Sequence, residues 1–132
     1  MIINRSIDVE DEVRQALSGF LTAYCRPLPS DFTVPSILVQ QVGGTDENTI
    51  DSFEIVLDSR AETEAEALEL LRNAVGILKK TAACQSTALR YVSVNSSGSW
   101  GLDPVRPDLA MCSARLRVIA HEETTNVEVK KK

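Results

Sequence analysis

The chain has one histidine, three cysteines and one tryptophan in 132 residues. No C-x-x-C pair occurs, and a structural zinc site takes about four nitrogen or sulfur ligands, usually in close pairs. Cys25, Cys84 and Cys112 are therefore read as three buried free thiols, and His121 as an exposed strand-end histidine. Cys112 and His121 share one predicted strand but sit on opposite faces, about 30 Å apart at 3.3 Å per residue. That excludes them as a nucleophile and its base. Basic residues are outnumbered, 14 to 19, and the net charge of −5 argues against a dedicated nucleic-acid binder, which usually presents a net basic face. No apolar run approaches the length needed to span a membrane. The first residues, Met1-Ile2-Ile3-Asn4-Arg5, lack the apolar core of a signal peptide, so a cytosolic chain is expected.

What is present is ordinary for a globular protein: 43% apolar and 25% charged residues, enough for one core. One domain over 1–132 is expected, with a flexible polar tail at 122–132. Val9, Val13, Ala16, Leu17, Phe20, Leu21 and Tyr24 form one helical stripe, which predicts a helix over 8–24, capped by Asp8 and stopped by Pro27 and Pro29. A second helix is predicted over 62–80, with Glu62, Glu64 and Glu66 at its start and Lys79-Lys80 at its end, as the macrodipole favours. Strands are predicted over 37–42, 53–57, 89–95 and 112–120 from apolar runs or alternation.

The expected order is α-β-β-α-β-β: a two-layer α+β domain whose four-stranded, mainly antiparallel sheet carries two amphipathic helices on one face. The first two strands form a hairpin whose polar link, Gly43 to Asn48, is expected to project and to be mobile. A long loop is expected from Asn95 to Pro107.

The search for chemistry yields no catalytic, cofactor-binding or metal-binding set. Asp46, Glu47 and Asp51 cluster at the hairpin but lack the regular spacing of a calcium loop. Gly43-Gly44 follows a strand instead of opening a helix, so it reads as a turn and not as a phosphate cradle. The remaining candidates suit a contact surface. Trp100, placed in a loop, is either anchored at the core margin or an interface anchor. Arg115 and Arg117 share the solvated face of the last strand with Glu54 of the second, and fit either a solvated face or an ion-paired subunit contact with a neighbour's Glu54 or Asp58. The candidate interface is thus Gly43, Gly44, Asp46, Glu47, Glu54, Trp100, Arg115 and Arg117.

Leu28-Pro29, the run from Pro35 through Ile37-Leu38-Val39-Gln40-Gln41-Val42-Gly43-Gly44-Thr45, the Ala/Glu segment 61–67, and Pro107-Asp108 leading to the Arg115 strand resemble the tail terminator (tail completion) proteins of long-tailed bacteriophages. The resemblance covers roughly 8–121 and is a pattern, not a catalytic signature. It implies a small α+β subunit of a hexameric ring at the head-proximal end of the tail in the virion, assembled in the host cytoplasm. Such a ring caps the tail tube, stops its polymerisation and joins it to the head connector. Its partners would be further copies of itself, the tube protein and the connector, with DNA passing through the lumen and no membrane involved. The Lys-rich end and the cysteines are not features of that family. Two other classes stay open, a small cytosolic adaptor and a small enzyme with a dispersed active site.

Overall fold

The structure, a computed structural model, describes residues 1–47, 50–104 and 106–130; of residues 46–47, 96–100 and 102 it describes the backbone. The protein is α+β. In chain order it runs β1 (Ile2–Arg5), α1 (Val9–Ser18), β2 (Ala23–Cys25), β3 (Ser36–Glu47), β4 (Ile50–Ala61), α2 (Glu64–Cys84), β5 (Leu89–Leu102), β6 (Ala110–His121) and β7 (Glu123–Asn126). The main sheet has five strands in the order β2-β3-β4-β6-β5, and β1 and β7 make a separate two-stranded ribbon. The expected sheet of four strands is therefore corrected to five plus two. The β3, β4, β6 and β5 pairings are antiparallel, and β2 adds in parallel to β3.

Both helices pack on one face of this sheet. Val9, Val13 and Leu17 of α1 and Ala67, Leu71, Ala74, Leu78 and Ala82 of α2 share one core with Ile55, Leu57, Leu116 and Val118. Alternation places those strand residues inward, and each large apolar side chain so buried contributes about 1.5–3 kcal/mol. Asp8 caps α1 by accepting from the Asp11 N–H at 3.3 Å, and Thr63 caps α2 by accepting from the Glu66 N–H at 3.2 Å. Ser59, fully buried on β4, ties sheet to helix: its hydroxyl lies 2.7 Å from the Ala67 carbonyl and 3.0 Å from that of Cys112.

Four local expectations are corrected. α1 ends at Ser18 and not at Tyr24, because Gly19, a poor helix former, caps it. Residues 23–25 then run extended as β2, and Phe20, expected on the buried stripe, is 75% exposed. The Gly43-Gly44 pair lies inside β3, at a register shift between Gln41 and Gly43, instead of in a turn. Gly44 has φ +153°, and a Cβ there would stand 2.6 Å from the Ser52 carbonyl oxygen, so the strand approaches its neighbour more closely than any side chain allows. The projecting link shrinks accordingly: β3 and β4 pair out to Glu47 and Ile50, and the tip residues 48–49 lie outside the described residues.

The expected 95–107 loop is mostly strand. β5 continues to Leu102 as the edge, with register shifts at Leu89/Tyr91, Val94/Ser96 and Ser97/Ser99. Its serines and glycines tolerate such bulges, which also discourage pairing with a foreign strand. Finally, part of the expected flexible tail is β7, whose residues Glu123 to Asn126 pair with Arg5 to Ile2. Of the cysteines, Cys112 is buried, Cys25 partly buried and Cys84 exposed, which corrects the expectation of three buried thiols.

Candidate functional site

The face of the sheet turned away from the helices gathers five of the eight candidate interface residues. Strand pairing sets Arg117 opposite Glu54 and Arg115 opposite Val56, one step along the same face. Arg115 Nη1 lies 3.3 Å from Glu54 Oε2, and Arg117 Nε donates to Ser52 Oγ at 2.9 Å. Gly43 borders the same carboxylate: a Cβ at Gly43 would lie 3.7 Å from Glu54 Oε2. Gly44, Thr45, Ser52, Glu54, Asn95 and Arg117 line a shallow open depression of about 310 Å³.

The chemistry this arrangement offers is recognition. The Arg115–Glu54 pair is about half exposed on both sides, so it adds at most about 1 kcal/mol to stability. It does fix where the two charges stand. Arg117 presents its guanidinium beside a carboxylate and a hydroxyl, a mixed surface that suits a partner with both donors and acceptors. Two parts of the sequence expectation change. Glu54 is engaged by Arg115 of its own chain. Asp58 is 8% exposed and accepts from Gln40 Nε2 and Ser113 Oγ, both at 2.5 Å, so it is not an acid waiting for a neighbour.

The other three candidates are placed by backbone only. Asp46 pairs with Asp51 and Glu47 with Ile50 at the end of the hairpin. Trp100 is in β5 opposite Cys112, not in a loop. The side chains of these three lie outside the described residues.

At the far end of the same face is a cluster the sequence did not single out. Arg60 Nε meets Asp103 Oδ2 at 2.6 Å, with the two side chains 9% and 3% exposed. Asp103 Oδ1 also accepts from the Arg106 N–H at 3.1 Å, which holds the link between β5 and β6. The Phe32 ring centroid lies 5.9 Å from the guanidinium carbon of Arg60 and 5.6 Å from that of Arg106. The one available signal was Arg60 itself, an arginine continuing the outward parity of Glu54 and Asp58. Asp51 was named only as a loop acid. It is instead 2% exposed, and neither carboxylate oxygen has a hydrogen-bond partner among the described residues.

Among the described residues no group of three or more His, Cys, Asp or Glu side chains is arranged to hold a metal ion. No helix among the described residues is long and apolar enough to cross a membrane. No family model matches the chain, and no curated protein matches it either.

Proposed function

We propose that this chain is an assembly subunit of a bacteriophage tail, acting in a closed ring of copies that caps the tail tube, ends its growth and joins it to the head connector. The observation that carries the reading is the open outer face of the sheet, where Glu54, Arg115, Arg117 and Ser52 form a two-signed polar surface with no helix laid over it. Such a surface fits a partly polar, repeatedly assembled contact better than it fits a buried core. The strand and helix segments 35–45 and 61–67 support the same reading through their resemblance to tail terminators. A six-membered ring is the expected copy number on that resemblance, with DNA crossing the lumen without specific binding.

The test is co-assembly with the tail tube protein encoded beside this chain, read by electron microscopy. Capped tubes of defined length are expected when the chain is present. Tubes that grow to the same uncontrolled lengths with and without it, and never show a cap, overturn the reading. An adaptor role would instead give a stable monomer that binds another cytosolic protein and leaves tube length unchanged.

A further inference from the structure

The sequence between Leu70 and Leu102 contains no acidic residue and four basic ones, Arg72, Lys79, Lys80 and Arg90. That segment is +4, which leaves −9 for the rest of a chain of net charge −5. The fold turns this division into a surface. On the exposed side of α2, Phe20, Leu21, Leu70 and Ile77 form the apolar lining of an open groove of about 760 Å³, with Arg72 and Lys80 among its lining residues. A smaller hollow of about 330 Å³, with Leu68, Val75 and Lys79, shares Arg72 and Gly76 with it. Gly76 is the saddle between them, and a Cβ built there meets no atom within 4 Å. Phe20, 75% exposed, stands beside the groove with nothing covering it among the described residues. An apolar trough with a basic rim on an acidic protein calls for an acidic, partly apolar occupant.

The opposite end of α1 presents such a shape. Ile2 is 74% exposed on the β1–β7 ribbon, and at the other end of the ribbon Asp8, Asp11 and Glu12 at the start of α1 stand near Glu123 of β7, with Asp11 ion-paired to Arg14 at 2.8 Å and Glu123 to Arg5 at 2.6 Å. The carboxyl of Glu12 is held above its ordinary value by burial and by the negative charges of Asp11, Glu123 and Asp8, and these four acids outnumber the Arg5 and Arg14 paired with them. Groove and acidic end lie at opposite ends of α1, so neither can satisfy the other within one chain.

We propose that the α2 groove around Gly76 receives the acidic β1–β7 end of a second copy of this chain. Because the two surfaces differ, the contact is head-to-tail, and repeated copies close into a ring if the rotation allows or run on as a filament if it does not. The bulged β5 edge makes strand-to-strand joining a poor alternative. The inference rests on the ring reading and specifies which surfaces join neighbours, leaving the outer sheet face for the tube or connector.

The experiment is a charge swap in the full chain. One variant, Arg72→Glu with Lys80→Glu, reverses the groove; another, Glu12→Lys with Glu123→Lys, reverses the acidic end. All are first shown to be folded by circular dichroism and thermal melting. Sedimentation velocity at high protein concentration and low salt, and capping of tail tubes, are the readouts. Each variant alone should associate about tenfold or more weakly than the unaltered chain, and an equimolar mixture, which can only alternate, should restore assembly. Gly76→Leu, placed where there is open space, should remain folded and block assembly. In the unaltered assembly, alkylation of the exposed Cys84 thiol in the groove should slow.

A mixture no better than its components, an assembling Gly76→Leu variant, or an unaltered chain that stays monomeric both free and with tubes overturns the contact. If Gly76→Leu caps tubes like the unaltered chain, the contact fails and the ring reading stands. If the swapped mixture assembles but nothing caps a tube, the contact stands and the phage role fails.

Discussion

Arg26 and Glu10 meet at 2.5 Å, and together they close the edge of β3 at a single residue. β2 pairs with β3 only as far as Val39, so Gln41 lies just beyond the cover. There the Gln41 N–H donates to Glu10 Oε2 at 3.1 Å, and the Gln41 carbonyl accepts from Arg26 Nη2 at 3.0 Å. The ion pair does for one residue what another strand would do, and it removes an unpaired stretch of edge.

Glu10→Ala should therefore cost about 1–3 kcal/mol, since it strips an acceptor from a half-buried N–H and leaves Arg26 without its carboxylate. Burial pushes the Glu10 carboxyl upward, but the hydrogen bonds from Arg26 and from the Gln41 N–H and the Arg26 charge together bring it below its ordinary 4.5. A carboxyl whose folded-state pKa lies below its unfolded value favours folding at pH above 4.5 and loses that contribution as the pH falls from there through the folded value. Urea denaturation of the native chain and of Glu10→Ala across this range should show the two converging on acidification. A difference that stays constant down to the acid limit would refute the assignment.

Asp103→Ala should cost about 3–5 kcal/mol, because it leaves the Arg60 guanidinium buried without its counter-ion. The loss reaches further than one pair: Asp103 also holds the Arg106 N–H, and Arg106 and Arg60 both flank Phe32. Replacing the pair together, Arg60→Met with Asp103→Leu, should recover part of the stability, since no charge is then stranded although the Arg106 N–H still loses its acceptor. Thermal melting of the two variants and the native chain checks this, and a double variant as unstable as Asp103→Ala would show that the stranded Arg60 charge does not carry the effect.

Much of this architecture was legible in the sequence. α2 announces itself by a long apolar stripe with acids in its first turn, although it runs on to Cys84 past the Lys79-Lys80 expected to end it, and β4 and β6 by alternation, because each has one face in the core. The errors fall at edges. β2 is three residues long and reads as the end of a helical stripe, since Leu21 and Tyr24 fit either period. β5 is a sheet edge, where serine and glycine carry no burial pattern, so its outer half looks like loop. β1 and β7 have too few residues to show a period and exist only through each other. The outer-face charges were legible because parity alone sets Arg115, Arg117 and Glu54 on one side. That Arg115 and Glu54 are partners was not, because it depends on the β4–β6 register.

Gly44→Ala should destabilise by about 1–3 kcal/mol. The new methyl would meet backbone, the Ser52 carbonyl at 2.6 Å, and cannot be relieved by a rotamer change. Gly43→Ala is the control, since a Cβ there finds only the Glu54 side chain, at 3.7 Å and beyond. Equal melting temperatures for the two alanine variants would refute the role given to the Gly44 backbone.

Asp51 lies inside the protein at the hairpin end with both carboxylate oxygens unpartnered among the described residues. A polar group buried in this way opposes folding. Asp51→Ala should raise stability by about 1 kcal/mol, because no polar side chain is then buried without a partner. Denaturant midpoints measured near neutral pH give the answer. A variant less stable than the native chain would mean that the carboxylate has a favourable partner in solution.

The outer face offers the sharpest separation of stability from assembly. Arg115→Glu with Arg117→Glu reverses its cationic half while leaving the helix-facing core untouched, since both side chains are exposed and alternate with Leu116 and Val118. The exposed Arg115–Glu54 pair is worth at most about 1 kcal/mol, so the double variant should melt within a few degrees of the native chain. Tube capping should nevertheless fall, and fall further at low ionic strength, where repulsion between the new carboxylates and Glu54 or an acidic partner is least screened. Adding Glu54→Arg restores a mixed-sign surface of inverted polarity. If the face works only through its local ion pair, this triple variant should cap tubes again. If the face meets an acidic partner, capping should stay impaired, because an arginine at 54 does not replace those lost at 115 and 117. Tubes capped as well by the double variant as by the native chain, at every salt concentration, would remove the outer face from the assembly contact altogether.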